Sequence, residues 1–387
     1  MPKEQIHHEA KLAPWLDPQN YPLVPEAYRN NFGILRGRWR FRIGSLRNLK
    51  LWLSTDLLHS IRFVWSPGSI RMMPPVLLGG LEKSAVLRWK LFSVAYFVYF
   101  VYKATQNPEL LETASKMARH GLVAAFLTFE LWRLQSGKRW AIEQRNKLMC
   151  YYAWVSLTRP WVTYALIFLI LGGSLLDPIM TGEPWLQRAC CSLTAPVAQF
   201  GFRWAELLDG EIWRLGTYAS LHASFNHFMG NALGIGAYGW LIESMGHKRL
   251  AIVSFSVGVV VGGLFGALMD SRYGVGASAG LWSMMGVAGG ELFRYRHQLA
   301  LDVPLRFIGP SLIAVVLAAT LSSDTINHWG HLSGLIVGLS LSAIFQSGYH
   351  RTNRPLAVFL RAFAASCTAF VMVSMLWIFY TAVELLI

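Results

Sequence analysis

Charge is scarce in this chain. Only 14% of its 387 residues are Asp, Glu, Lys or Arg, whereas 54% are hydrophobic. A soluble enzyme core cannot hide so large an apolar share, so a soluble cytosolic protein is excluded, and the same figure excludes disorder. There are only four cysteines, Cys150, Cys190, Cys191 and Cys367. Their spacing matches no metal site, and their number excludes a disulfide-stapled secreted scaffold. Glycine contributes 34 residues with no triplet period, so a collagen-like fibre falls too. Acidic residues are fewer than basic ones, 21 against 35 Lys and Arg, a net +14. On a membrane protein that excess marks loops retained on the cytoplasmic side, a better fit than nucleic acid. No P-loop, dinucleotide fingerprint or metal-ligand cluster occurs, and no cofactor is implied.

What is present is apolar sequence in spanning lengths. A crossing needs about 20 residues, and none is found before Pro160. Leu91–Tyr102 and Leu122–Leu131 are short and closely bounded by Arg88, Lys90 and Lys103, and by His120 and Arg133; they read as packed or interfacial helices, with a tight membrane hairpin as the other reading. From Trp161 seven candidate spans follow: Trp161–Leu176, His222–Ile242, Leu250–Met269, Gly274–Leu292, Leu305–Leu321, His328–Phe345 and Ala362–Val383. In lipid the backbone must satisfy its own hydrogen bonds, and uninterrupted apolar runs exclude the alternation of a barrel. The fold class is therefore all-α, a polytopic membrane protein of six core helices plus one C-terminal transmembrane helix.

Loop charges set the orientation. Lys248-Arg249, Arg294 with Arg296, and Arg351 with Arg354 follow the second, fourth and sixth spans, while Lys147 and Arg159 precede the first. Residues 1–160 then form a basic extension on the cytoplasmic or matrix side, 161–347 the six-span core, and 348–387 the seventh helix. Met1–Glu26 lacks the apolar stretch of a secretory signal. The Arg-rich stretch Arg29–Arg71 reads as the solvated basic face of an accessory domain in preference to a lipid-headgroup site.

Polar side chains within spans are costly, about 2.5–3.5 kcal/mol for a central charge on insertion scales, and point to function. Three clusters occur: His222, Asn226, His227 and Asn231 opening the second span; Ser278 opening the fourth; Asn327, His328 and His331 opening the sixth. All three openings face the external side at similar depth. His227 and Asn231, four apart, share a helix face, whereas His222 falls half a turn from Asn231 and is assigned to the helix entrance. Small residues surround Ser278, and Gly330, Gly334 and Gly338 recur every four residues beside His331, so the fourth and sixth helices can pack nearly backbone to backbone. Ser278 and His331 are then a candidate nucleophile and base.

These residues resemble the rhomboid family of intramembrane serine proteases over about Trp161–Ser347. The resemblance rests on Trp213-Arg214 before the second span, on His222, His227 and Asn231 at the family's His-x4-His-x3-Asn spacing, on Gly276-Ala277-Ser278 and on His331 with Gly334 and Gly338. It implies Ser278 as nucleophile and His331 as general base without a third acid, leaving Asp324 as a loop acid. It also implies an oxyanion hole from His227, Asn231 and the Ser278 N–H, with His222, Trp213, Arg214, Gly276, Gly334 and Gly338 as structural residues. Two positions depart from the family pattern. Ala279 stands where Gly is usual, and is expected to be tolerated if the helices do not touch there. Trp282 replaces Tyr or Phe, and is expected to stack on the His331 ring.

The implied activity is hydrolysis of peptide bonds in or near transmembrane segments of single-span substrates within the bilayer, with neither nucleic acid nor a small-molecule cofactor. The alternative is a catalytically silent relative that binds transmembrane helices for trafficking or degradation. A proton-relaying transporter would require charged partners deep in the spans, and Glu291 and Arg306 lie only near span ends. The expected location is a multi-pass protein of the plasma membrane or an organellar membrane, the mitochondrial inner membrane among them.

Overall fold

The computed structural model describes residues 13–36, 38–55, 61–78, 139–182, 195–269, 274–301, 303–304, 307, 327–347 and 354–385. The stretches Leu91–Tyr102 and Leu122–Leu131, all of the fifth expected span but Phe307, and Arg188, Cys190, Cys191, Arg306 and Asp324 lie outside the described residues. Two compact units result: residues 1–157 with 297–303, and residues 158–296 with 304–387.

The first unit contains the one sheet among the described residues, which the reading of residues 1–160 as a basic extension did not resolve. Strands β1 (Phe32–Arg36), β2 (Trp39–Ile43) and β3 (Ile61–Trp65) pair antiparallel in the order β2-β1-β3, and helix α1 (Leu46–Thr55) follows β2. Side chains alternate across a strand, so the sheet has two apolar faces. Ile34, Ile43 and Val64 pack on Leu49 and Leu53 of α1. On the other face Leu35, Phe63 and Trp65 meet Tyr21, Val24, Met72 and Ala153, the last from helix α2 (Arg139–Val155). Residues 297–303 complete this unit: Lys147 Nζ donates to the His297 carbonyl at 2.8 Å and the Leu301 N–H donates to Gln144 Oε1 at 3.0 Å.

The second unit is helical: α3 (Trp161–Thr181), α4 (Phe225–Ser244), α5 (Lys248–Met269), α6 (Ser278–Arg294), α7 (His328–Ser347) and α8 (Arg354–Glu384), with short helices at Ala195–Phe200, Trp204–Leu208 and Arg214–Thr217 between α3 and α4. Among the described residues, four helices are long and apolar enough to cross a membrane: α3, α5, α7 and α8. Phe168, Phe265, Ile336 and Val373 stand exposed on these helices, as lipid-facing side chains do.

Small residues set the helix spacing. A Cβ on Gly334 would strike the Ala279 carbonyl, one on Gly338 the Ser283 carbonyl, and one on Gly286 the α7 backbone at Leu335 and Leu339. The pairs advance together along both chains, so α6 and α7 run parallel and almost touch through their backbones. Gly234 against Leu281 and Gly239 against Met284 make α4 parallel to α6 as well. The openings of α4, α6 and α7 therefore lie at one end of the unit. Helix α8 packs on α3, with Phe379 over Gly172 and Ile378 beside Gly173.

At Ala279 the structure departs from expectation. The helices do touch there: Ala279 is buried, and its methyl fills the gap left by Gly262 on α5. The methyl is accommodated because the opposing residue has no side chain.

Candidate active site

Helix α6 begins at Ser278 because the residues before it cannot continue the helix. Gly276 holds φ +113°, a conformation L side chains rarely adopt. A Cβ there would also lie 2.7 Å from His227 Cε1 and 2.8 Å from His227 Nε2. Conformation and space both require glycine. The loop is pinned by the Gly276 N–H donating to the Tyr218 carbonyl at 2.9 Å. No side chain caps the helix at Ala277, so the first N–H groups of α6, Ser278's included, have no partner within the helix and face the site with the positive end of its dipole.

Ser278 Oγ lies 2.8 Å from His331 Nε2. His331 stands in the first turn of α7, where Asn327 Oδ1 accepts the Gly330 N–H at 2.8 Å and fixes the helix start. The Trp282 ring stacks on the imidazole with centroids 5.0 Å apart and planes 10° from parallel. Among the described residues no group hydrogen-bonds His331 Nδ1. If the serine hydroxyl donates to Nε2, the imidazole proton sits on Nδ1.

Ser224 caps α4 by accepting the His227 N–H at 3.2 Å. His227 stands beside Gly276, and its ring meets that of His222 edge-on, centroids 5.0 Å apart. The helix starts at Phe225, so His222 lies before it and the half-turn separation from Asn231 expected of a continuous helix does not apply. The chain folds His222 back, and Asn231 Nδ2 lies 2.9 Å from His222 Nε2. The Ala277 N–H also points at that nitrogen, at 3.4 Å. A backbone N–H can only donate, so Nε2 accepts, Nδ1 is protonated, and Asn231 presents its amide nitrogen. His222 Nδ1 then donates to Ser174 Oγ, 2.8 Å away on α3, whose hydroxyl is left to donate to the carbonyls of Ile170 (2.6 Å) or Ser220 (3.0 Å). Asn226 is exposed and stands apart from this group.

Trp213 and Arg214 are not at the Ser278–His331 pair. Arg214 is buried and clasps the carbonyls of Ala198 (2.8 Å) and Gly201 (2.6 Å) while pairing with Glu211. Next to Gly201, Phe202 forms a two-way backbone bridge with Gly274 (3.1 and 2.7 Å), two residues before Gly276. Arg214 therefore braces the loop that leads into Ser278. Trp213 meets Trp377 of α8 edge-on. Residues that the sequence reading did not single out also hold the site: Ser174, and Tyr218, whose hydroxyl donates to the Val259 carbonyl at 2.8 Å. A lone hydroxyl in the apolar run Gly172-Gly173-Ser174 was the available signal for the first. At the far end of α4 the buried Glu243 accepts from the Thr163 N–H (2.8 Å) and hydroxyl (2.7 Å), fastening α3 to α4. Among the described residues no three His, Cys, Asp or Glu side chains gather as metal ligands.

A serine and a histidine joined at the mouth of a bundle of apolar helices define an integral membrane protein with a hydrolase-like pair. Comparison with known proteins agrees: residues 209–348 match the Rhomboid domain family. A Bacillus subtilis protein named as a candidate rhomboid protease, YdcA, is 32% identical over 139 residues, 35% of this chain and 67% of that protein. Rhomboid-related protein 1 of Caenorhabditis elegans is 28% identical over 213 residues (49% and 57%), and Rhomboid-like protease 1 of Toxoplasma gondii 24% over 202 residues (47% and 65%). The chain thus spans 57–65% of the length of these last two relatives. It belongs to the rhomboid family.

Proposed function

We propose that this protein is an intramembrane serine endopeptidase whose catalytic dyad is Ser278 and His331, housed in a protease core at residues 161–347. The observation that carries the reading is the 2.8 Å contact between Ser278 Oγ and His331 Nε2 at the start of two parallel helices. In the first step Ser278 Oγ attacks the scissile carbonyl carbon while His331 Nε2 takes the hydroxyl proton. The tetrahedral oxyanion forms beside the unpartnered N–H of Ser278 and the side chains of His227 and Asn231. Asn231 spends one amide hydrogen on His222 and keeps the other for the oxyanion. One such donor is typically worth about 3–4 kcal/mol of transition-state stabilisation. His331 then returns the proton to the leaving amine, the C–N bond breaks, and an acyl-Ser278 remains. Water attacks that ester with His331 again as base, releasing the carboxylate product and restoring the serine. Trp282 keeps the imidazole plane fixed through both proton transfers.

The substrates proposed are single-span membrane proteins cut near the membrane face at which α4, α6 and α7 begin, where water and an unwound substrate helix can meet. The test is cleavage of a reporter single-span helix by purified protein in liposomes, with labelling of Ser278 by a fluorophosphonate. Wild type is expected to cut and to be labelled, and Ser278→Ala and His331→Ala to do neither. Helices bound but left uncut by wild type, with Ser278 unlabelled, would replace this reading with that of a silent helix-binding relative.

A further inference from the structure

We propose that the face of the N-terminal unit formed by β2 and α1 docks on an anionic lipid headgroup layer, that of the membrane in which the chain is itself anchored. A water-facing surface ordinarily sheds large apolar side chains, and contiguous exposed ones mark an interaction site. Among the described residues β2 is an edge strand bonded only to β1, and Trp39 and Phe41 stand exposed on the side of the sheet that carries α1, with Trp39 63% exposed. Phe41 stacks on Trp52 of α1, centroids 6.3 Å apart. Helix α1 already buries Leu49 and Leu53 in the unit's core, yet it also leaves Trp52 exposed and Leu51 61% exposed. Its apolar residues thus serve two faces, one buried in the core and the other exposed.

Arg38, Arg47 and Lys50 border this face, whereas Arg40 and Arg42 of β2 alternate to the opposite one, where Arg42 lies over the Tyr28 ring. From Arg29 to Arg71 the sequence as a whole holds eight arginines and one lysine against a single acid, Asp56. The Arg38 guanidinium lies over the Trp39 ring at 5.2 Å, Arg47 precedes Leu51 by one helical turn, and Lys50 is adjacent. Tryptophan and leucine that enter the headgroup boundary, bordered by Arg and Lys that meet phosphates, form the chemistry of an interfacial membrane contact. Arginine and aromatic residues also suit single-stranded nucleic acid. The exposed Leu51 offers no ring for base stacking, however, and only five residues separate the end of α2 at Val155 from the start of α3 at Trp161. That short link holds the unit at a bilayer surface at high effective concentration, and nothing comparable holds it near RNA.

Hydroxyl-radical footprinting of the full chain in lipid nanodiscs tests this directly, with no dependence on peptidase activity. Oxidation of Trp39, Phe41, Leu51 and Trp52 is compared in phosphatidylcholine discs and in discs that also contain phosphatidylglycerol. Anionic discs are expected to slow oxidation of these four by about fivefold, the effect of one surface cation on an anionic layer. High salt should remove the protection. The charge reversals Arg38→Glu, Arg47→Glu and Lys50→Glu, all outside the core, should remove it as well while leaving oxidation of Tyr21 and Phe63 low. Equal oxidation of the wild-type face in both discs overturns the proposal. Protection by an added RNA oligonucleotide but not by phosphatidylglycerol overturns it in favour of nucleic acid.

Discussion

Gly262→Ala is the sharpest probe of how this bundle holds its site. A Cβ built on Gly262 would lie 2.7 Å from the Ala279 methyl on α6 and 2.9 Å from the Gly330 carbonyl on α7. Carbon atoms in good contact sit about 3.5–4.0 Å apart, so the added methyl intrudes by about 1 Å on the Ala279 side, and the Gly330 carbonyl offers it no room. Neither obstacle is the free end of a flexible side chain, so α5 must retreat from both helices at once. Overpacking of this kind costs about 1–3 kcal/mol, and two rigid obstacles place Gly262→Ala at about 3 kcal/mol. Ala279 adjoins Ser278, so the 2.8 Å contact with His331 should loosen and turnover should fall with stability. The compensating change is Ala279→Gly, which removes the first clash and leaves the Gly330 carbonyl. By itself it should cost about 0.5–1 kcal/mol as a glycine in a helix. In the Gly262→Ala background it should instead restore roughly half the lost stability, since one of the two obstacles is gone. Unfolding in mixed detergent micelles, followed by tryptophan fluorescence, measures all four proteins of the cycle. Strict additivity of the two changes, or a Gly262→Ala protein as stable as wild type, would refute the reasoning.

Three further outcomes are expected. Ser174→Ala leaves the His222 Nδ1 proton without its serine acceptor in a buried place; unfolding should show a loss of about 1–3 kcal/mol, and steady-state cleavage a lower kcat at nearly constant KM, whereas a defect confined to a rise in KM would remove Ser174 from the support of Asn231. Trp282→Ala should lower kcat/KM by roughly twofold to tenfold, the value of an aromatic stack of about 0.5–1.5 kcal/mol, and Trp282→Phe should recover most of it; identical rates for Ala and Phe would show that the stack does not steady His331. In the N-terminal unit, burial pushes the Cys150 thiol up from 9.0 to about 11, against a weaker downward pull from its hydrogen bond with Tyr21. The raised group favours its protonated form in the fold, so its contribution is fully present below pH 9 and is lost as pH rises through about 11, about 2–3 kcal/mol in all. Denaturation from pH 8 to 11 should show that decline in wild type and a flatter one in Cys150→Ala, and parallel curves would assign the decline to other groups.

The membrane helices were legible because hydrocarbon imposes one length and one backbone solution. Trp161, Met269 and His328 each mark the helix end at which the sequence places a span boundary. The boundary at α6 was harder to place, since Gly274 continues the apolar run while only the positive φ of Gly276 reveals that the helix has not begun. The sheet was not read. β2 spells Trp-Arg-Phe-Arg-Ile, an alternation masked by arginines on one face and by tryptophan and phenylalanine left in the open on the other. Its alternation becomes meaningful only beside Ile34 and Val64 of its neighbours, contacts that no single segment announces.

The site was legible as a set of residues and illegible as a set of connections. Spacing along the chain can nominate Ser278, His331, His227 and Asn231, but helical arithmetic separated His222 from Asn231 because it extended α4 through a residue that lies before its cap. The folded chain makes His222 the junction of three elements. Ala277 at the start of α6 points an N–H at Nε2 and so fixes the tautomer, Asn231 of α4 donates to the same atom, and Ser174 of α3 accepts the proton left on Nδ1. One neutral imidazole thus registers the α4 amide against the first residue of the helix that carries the serine. Lysine in its place would supply donors where an acceptor is needed, and Asn231 would turn away. Glutamine could accept at one atom but lacks the rigid ring that spans from Ser174 to Asn231. The requirement for histidine at 222 therefore follows from geometry around an atom that need never touch the substrate.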